Sequence, residues 1–180
     1  MRSNAASSDT LAGKLMLVSA IAFSIALATI TLAHVFERFG YAPCPLCLQE
    51  RYAYYFAVPA LVAAFFAARA ESFTLARILL ALVALAFLIN AVVGVYHSGI
   101  EWKWWEGPAS CSGGVTVEWG DGGVASAIER ATVVSCSDAS WRMLGLSFAG
   151  WNAVISALLA GITAWGAALR HGMPWRRHTR

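Results

Sequence analysis

The chain has 180 residues, enough for one domain, of which 59% are apolar and only 13% charged. Soluble domains carry about 25% charged residues, and here the apolar residues are gathered into long runs, so a soluble globular domain is excluded. The net charge of +3 means little by itself; its placement along the chain carries the information, and no nucleic acid partner is expected.

Residues 1–14 are polar and read as a loose tail. Four apolar runs follow, at residues 15–36, 52–68, 78–96 and 144–169. A helix crossing the hydrocarbon core needs about 20 such residues. No alternating ten-residue segments suggest a membrane β-barrel. Backbone groups in lipid must pair within the segment, so the runs should be helices. The first run carries an Ala26-Leu27-Ala28 triplet behind Lys14 that resembles a signal-cleavage site. It is longer than the roughly 7–15 residues of a signal core and follows a polar tail, so it reads as a span. The expected fold is an all-α integral membrane protein. One membrane domain, residues 1–180, would form a four-transmembrane-helix bundle with outer loops at 37–51 and 97–143.

Orientation follows from Lys and Arg in the short loops. Residues 1–14, 69–77 and 170–180 hold eight basic residues in 34 positions; residues 37–51 and 97–143 hold five in 62. The first set is expected in the cytoplasm with both termini. All four cysteines then lie on the outer side, where disulfides persist. The basic tail, with Arg176, Arg177 and Arg180, reads as a topology anchor on anionic lipid.

The first outer loop centres on Cys44-Pro45-Leu46-Cys47, and Gln49, Glu50 and Arg51 lead into the second run. Cys-x-x-Cys spacing lowers a thiol pKa. Pro45 suits the first helical position, which makes Cys44 the cap and puts Cys47 in the first turn. The helix dipole would favour a Cys47 thiolate. Arg51, four residues on, would share the face of Cys47 and either stabilise that thiolate or hold a ligand oxygen; the competing reading is an interface residue that snorkels. A zinc site would want a second close cysteine pair, and Cys111 and Cys136 are far apart in sequence. A structural disulfide is the other competitor. No βαβ pattern supports a thioredoxin-like domain.

The long outer loop opens with Trp102, Trp104 and Trp105, which read as headgroup anchors. Its middle is rich in Gly, and residues 124–134 read as a short amphipathic helix, on the membrane or in solvent. Asn90 and Asn152 fall inside spans, where bonding between helices is their ordinary role.

These motifs together resemble the DsbB family, the bacterial membrane proteins of disulfide bond formation. The resemblance rests on Cys44-Pro45-Leu46-Cys47 with Glu50-Arg51 at the second span and on a second cysteine pair in the long loop. Gly145-Leu146-Ser147 and Trp151-Asn152 at the fourth span complete it. It implies a protein-disulfide:quinone oxidoreductase of the bacterial inner membrane, with periplasmic cysteine loops. A periplasmic DsbA-like thiol oxidase would be its soluble partner, and ubiquinone or menaquinone the electron acceptor. It implies further that Cys111 and Cys136 form the disulfide that oxidises the partner, with Cys111 taking the mixed disulfide. Cys136 would pass the electrons to Cys44, and Cys47 would be the thiolate beside the quinone. Arg51 would orient a quinone carbonyl, and His97 matches a polar position near the quinone. The stretch 118–123 departs from the family pattern, which leaves partner specificity open. The alternatives are a quinone reductase of the vitamin K epoxide reductase type and a scaffold with structural disulfides.

Overall fold

A computed structural model describes residues 2–111, 115–116, 132–133 and 135–170. Four long helices dominate it: α1 Arg2–Arg38, α2 Pro45–Arg69, α3 Phe73–Glu101 and α4 Phe148–Ala168. All four are long and apolar enough to cross a membrane, and the protein is a four-helix membrane bundle. The polar N-terminal stretch, read as loose, continues α1 back to Arg2; it holds no Pro, and its first Gly is Gly13.

Local chemistry sets the helix ends. Gly40, at φ 95°, reverses the chain after α1, and the Tyr41 N–H returns to the Phe36 carbonyl at 3.2 Å, closing carbonyls that the helix end leaves open. Pro45 occupies the start of α2 behind Cys44. The turn between α2 and α3 is three residues long, with Glu71 at φ 57°. The fourth apolar run is helical only from Phe148. Before it, β3 Arg142–Met143 and β4 Leu146–Ser147 form a hairpin whose two-residue turn is Leu144-Gly145. Both turn residues have positive φ, 53° and 83°, as a type I′ turn requires. Ser147 then caps α4, its hydroxyl accepting the Gly150 N–H at 3.2 Å.

In the long loop a 3₁₀ turn at Ala109–Cys111 precedes β1 Val115–Thr116, which pairs antiparallel with β2 Thr132–Val133. The amphipathic helix read over 124–134 therefore does not include Thr132–Val133, which are strand; the rest of it, the stretch 118–123 and the basic tail lie outside the described residues.

The helices pack in a ring. Each touches its sequence neighbours, most extensively α3 against α4, and α4 closes on α1. The core is lined by Leu15, Val18, Ala22 and Ala26 of α1, Ala57, Leu61 and Ala64 of α2, Leu80, Val83 and Phe87 of α3, and Leu159 of α4. Small residues let backbones approach. A Cβ on Gly94 would lie 3.0 Å from the Cβ of Ala153, and one on Gly166 would meet Val18 at 2.7 Å. Larger apolar side chains, among them Leu17, Phe66, Ile89, Val92 and Trp165, face outward. Small residues at the closest helix contacts and large apolar ones on the outer face are the packing expected where lipid, not water, surrounds the helices.

One polar network crosses this core. The Tyr54 hydroxyl donates to Asn152 Oδ1 at 2.8 Å, and Asn90 Nδ2 donates to Ser156 Oγ at 2.9 Å and to Asn152 Oδ1 at 3.3 Å. It ties α2, α3 and α4 together directly below the cysteine-bearing end.

Candidate functional site

All four cysteines gather at one end of the bundle, where Cys44, Leu46, Ile100, Cys111 and Cys136 form one buried cluster with Cys47 packed against it. Cys111 and Cys136 are joined as a disulfide, with Cα atoms 5.1 Å apart. Cys44 and Cys47 are free thiols whose sulfurs lie 2.8 Å apart.

Cys44 is the N-cap of α2, as its place before Pro45 predicts. Its extended backbone (φ −76°, ψ 167°) turns the sulfur back over the helix end, where it accepts the Cys47 N–H at 3.2 Å. The helix terminus therefore acts on Cys44. The sequence reading put the thiolate on Cys47; in the structure the orphan N–H and a histidine both converge on Cys44 instead. The hydrogen bond with the Cys47 thiol holds the Cys44 thiol well below the usual range; burial opposes this, and the hydrogen bonds from His97 and the Cys47 N–H add to it.

His97, 2% exposed, lies one turn before the end of α3. Its Nε2 is 3.6 Å from Cys44 Sγ, and its Nδ1 is 2.9 Å from Glu50 Oε1. Glu50 is itself buried at 6% exposure. Sulfur, imidazole and carboxylate thus form a continuous chain between α2 and α3. Spacing could not reveal it, because His97 is 53 positions from Cys44. The signal for Glu50 was present but unused: an ionisable residue in a membrane span calls for a partner and a role.

Arg51 shares the cysteine end of α2, but its guanidinium engages α1. Nη1 donates to Glu37 Oε2 at 2.7 Å, and that carboxylate also lies 3.4 Å from His34 Nδ1. Arg51 touches no sulfur within hydrogen-bonding distance, so a direct ion pair with Cys47 is not formed.

Beside these groups is a cavity of about 480 Å³, lined by Cys44, Cys47, Glu50, Arg51, Tyr54, His97, Glu101 and Asn152. Its aromatic wall is built from three separate segments. Trp141 stacks on Phe148 with centroids 4.9 Å apart, and Phe36 meets Phe148 at 5.0 Å and Tyr41 at 5.7 Å. The tryptophans singled out in the sequence lie elsewhere. Trp105 stacks on Tyr96 and donates to its carbonyl, and Trp102 packs on Trp104. Among the described residues, two buried polar atoms of cavity-lining residues have no hydrogen-bond partner, Glu101 Oε2 and Asn152 Nδ2. A mostly apolar cavity of this size with a few converging polar groups suits a flat organic ring carrying polar oxygens.

The family model for disulfide bond formation protein DsbB matches residues 15–166. A protein of Rickettsia prowazekii (strain Madrid E), described as "Uncharacterized protein RP370", is 24% identical over 142 residues, covering 77% of this chain and 80% of its own length. No solved structure matches the chain significantly. With most of its length matched, four membrane-spanning helices and its cysteines gathered at one end, the chain belongs to the DsbB family of membrane proteins of disulfide bond formation.

Proposed function

We propose that the protein is a thiol–quinone oxidoreductase of the bacterial inner membrane that reoxidises a periplasmic DsbA-like dithiol oxidase. The observation that carries this reading is the adjacency of a disulfide, a dithiol and an aromatic-walled cavity at one end of the bundle.

The chemistry follows from thiolate attack on disulfide sulfur. A thiolate of the partner attacks Cys111, and Cys136 leaves as a thiolate. The partner's second thiolate attacks its own sulfur in the mixed disulfide and releases Cys111. The partner is now oxidised, and Cys111 and Cys136 hold two more electrons. Cys136 attacks Cys44 of a Cys44–Cys47 disulfide and displaces Cys47; Cys111 then attacks Cys136 and releases Cys44. The loop disulfide is restored and the pair on α2 is reduced. A quinone held in this cavity by its lining residues would supply the two-electron, two-proton acceptor. In that step Cys44 and Cys47 close to a disulfide, and His97, within reach of Cys44 Sγ, takes a thiol proton while Glu50 holds the ring. Arg51 and the unpartnered Asn152 Nδ2 are the donors available to carbonyl oxygens in the cavity. The aromatic wall would exclude water and hold the ring flat.

The test is quinone reduction by the purified protein, followed by absorbance, with a reduced DsbA-like partner as donor. Cys136→Ser, mixed with oxidised partner, should hold a mixed disulfide between Cys111 and the partner, because Cys111 opens the partner's disulfide and no Cys136 is left to close the loop disulfide and expel the partner. Cys111→Ser should form none and retain the Cys44–Cys47 disulfide. If both variants reoxidise the partner at the rate of the parent protein, the loop disulfide is structural and the reading fails.

A further inference from the structure

We propose that the reduced site is also a metal site, in which Cys44 Sγ, Cys47 Sγ and His97 Nε2 bind Zn²⁺ and thereby hold the dithiol out of the redox cycle. The binding site stands on geometry alone; its inhibitory consequence rests on the function proposed above.

Three ligand atoms of the types zinc prefers lie within 4.8 Å of one another. With Zn–S near 2.3 Å and Zn–N near 2.0–2.1 Å, a tetrahedral centre puts sulfur and nitrogen about 3.5 Å apart and two sulfurs about 3.8 Å apart. Cys44 Sγ and His97 Nε2 already stand at 3.6 Å. The two sulfurs, at 2.8 Å, must part by about 1 Å. Side-chain rotation at Cys44, the cap residue outside the helix proper, provides that movement.

The surroundings fit a metal as well as the ligands do. The contact of His97 Nδ1 with Glu50 Oε1 at 2.9 Å keeps a proton on Nδ1, so Nε2 is the nitrogen that faces the sulfurs and offers a metal its lone pair once its own proton is lost. Carboxylate–histidine–zinc is the arrangement that orients imidazole ligands and raises their basicity. Two thiolates neutralise the charge of Zn²⁺, so the ion enters a buried site without net charge. Glu101 follows His97 by four residues on the same helix, and its unpartnered Oε2 lines the same cavity, where it can accept a hydrogen bond from water on an open fourth position. The sequence shows only two of the ligands; the third comes from α3.

Binding displaces the protons shared among the two sulfurs and the imidazole and transfers no electrons. The metal requires both thiolates, so occupancy and the Cys44–Cys47 disulfide exclude each other. Zinc would bind only after the loop pair has reduced this one, and it would withhold the electrons from the quinone.

The test uses the full-length Cys111→Ser/Cys136→Ser protein in detergent with any histidine tag removed, titrated with Co²⁺ and then Zn²⁺. The reduced protein should bind one Co²⁺ per chain, with thiolate-to-cobalt absorption in the near ultraviolet and tetrahedral bands in the visible. Zn²⁺ should displace it. The same protein oxidised at Cys44–Cys47 should show neither band, a comparison made within one protein. His97→Ala should weaken binding at least tenfold, and Glu50→Gln by about tenfold to hundredfold. Absence of thiolate-to-cobalt absorption in the reduced protein overturns the proposal, as does equal affinity in the oxidised form or in His97→Ala. No quinone or partner is present in the titration. Cobalt binding by this variant together with no quinone reduction by the metal-free parent protein supports the metal site while refuting the oxidoreductase reading.

Discussion

The placement of charge on Cys44 is decided by three groups within a few ångströms of one sulfur: the Cys47 thiol, the Cys47 N–H and His97 Nε2. A thiolate, not a thiol, reacts with alkylating reagents. A depressed pKa therefore keeps Cys44 reactive at pH values where an ordinary thiol, near 8.5, has become protonated and inert. With the loop pair removed by Cys111→Ser/Cys136→Ser, a small reagent such as iodoacetamide should modify Cys44 before Cys47, as read by peptide mass. Its rate should stay level as pH falls through 8.5 and decline only well below. His97→Ala should move that decline upward. Preferential modification of Cys47 would return the thiolate to the position the sequence reading chose. Arg51 is a separate matter, since Glu37 and not sulfur holds its fork at 2.7 Å. Its remaining donors can serve a ligand in the cavity it lines. A hydrogen bond to a charged group contributes about 1.5–3 kcal/mol, so Arg51→Ala should lower kcat/KM for quinone roughly tenfold to hundredfold. Arg51→Lys retains the charge without the planar fork and should mainly raise KM. Unchanged kinetics in Arg51→Ala across a quinone titration would leave the residue as an interface anchor tied to α1.

Between α3 and α4 a six-residue hairpin sets where the aromatic wall stands. The β3–β4 hairpin turns at Leu144-Gly145, and its register sets Trp141 against Phe148 across the mouth of the cavity. Trp151 Nε1 donates to the Met143 carbonyl at 3.1 Å, pinning the hairpin to α4. The left-handed region costs an L-residue with a Cβ roughly 1–2 kcal/mol, and Asn tolerates it better than Leu. Leu144 sits there at φ 53° with 86% of its surface exposed. Leu144→Asn should therefore stabilise the protein by up to about 1 kcal/mol. Gly145→Ala should destabilise it by a similar amount, although nothing lies within 4 Å of the added Cβ, because the cost is backbone strain at φ 83°. Thermal unfolding in one detergent measures both. If the hairpin positions the wall, Gly145→Ala should also raise the quinone KM while Leu144→Asn leaves it unchanged; opposite signs of the stability changes would rule out the type I′ turn. Nothing in the apolar run from 144 onward distinguished hairpin from helix by hydrophobicity. The Gly at the second turn position and the Ser before Phe148 were the available signals, and both are turn and cap chemistry rather than hydropathy.

At the scale of the whole molecule, the features legible in the sequence were those that depend on neighbours along the chain. The four helices follow from run length, and the Cys44 cap follows from Pro45. The site was legible only in its local half. The cysteine pair on α2 could be read directly, but the Glu50–His97 contact and the Glu37–Arg51 pair join different helices, and their geometry exists only once the ring of helices has closed. The aromatic wall draws on α1, the hairpin and α4, and no spacing rule connects Phe36 with Trp141. Charge asymmetry is likewise a property of the entire chain, and it bears on the side of the membrane these groups face. In the sequence, segments 1–14, 69–77 and 170–180 carry eight basic residues in 34 positions, and segments 37–51 and 97–143 carry five in 62. Basic short loops stay in the cytoplasm, so the cysteine end should face the periplasm with both termini inside. The two cysteine pairs lie in one cluster, so they must answer together. After reduction of intact cells, a membrane-impermeant maleimide should label Cys111 and Cys136, and a cysteine introduced at Arg170→Cys should react only once the membrane is made permeable. Cys44 lies in the same buried cluster as the loop cysteines and should label from the same side. Labelling of Arg170→Cys in intact cells, with both native pairs protected until permeabilisation, would reverse the topology and remove the periplasmic partner from the mechanism.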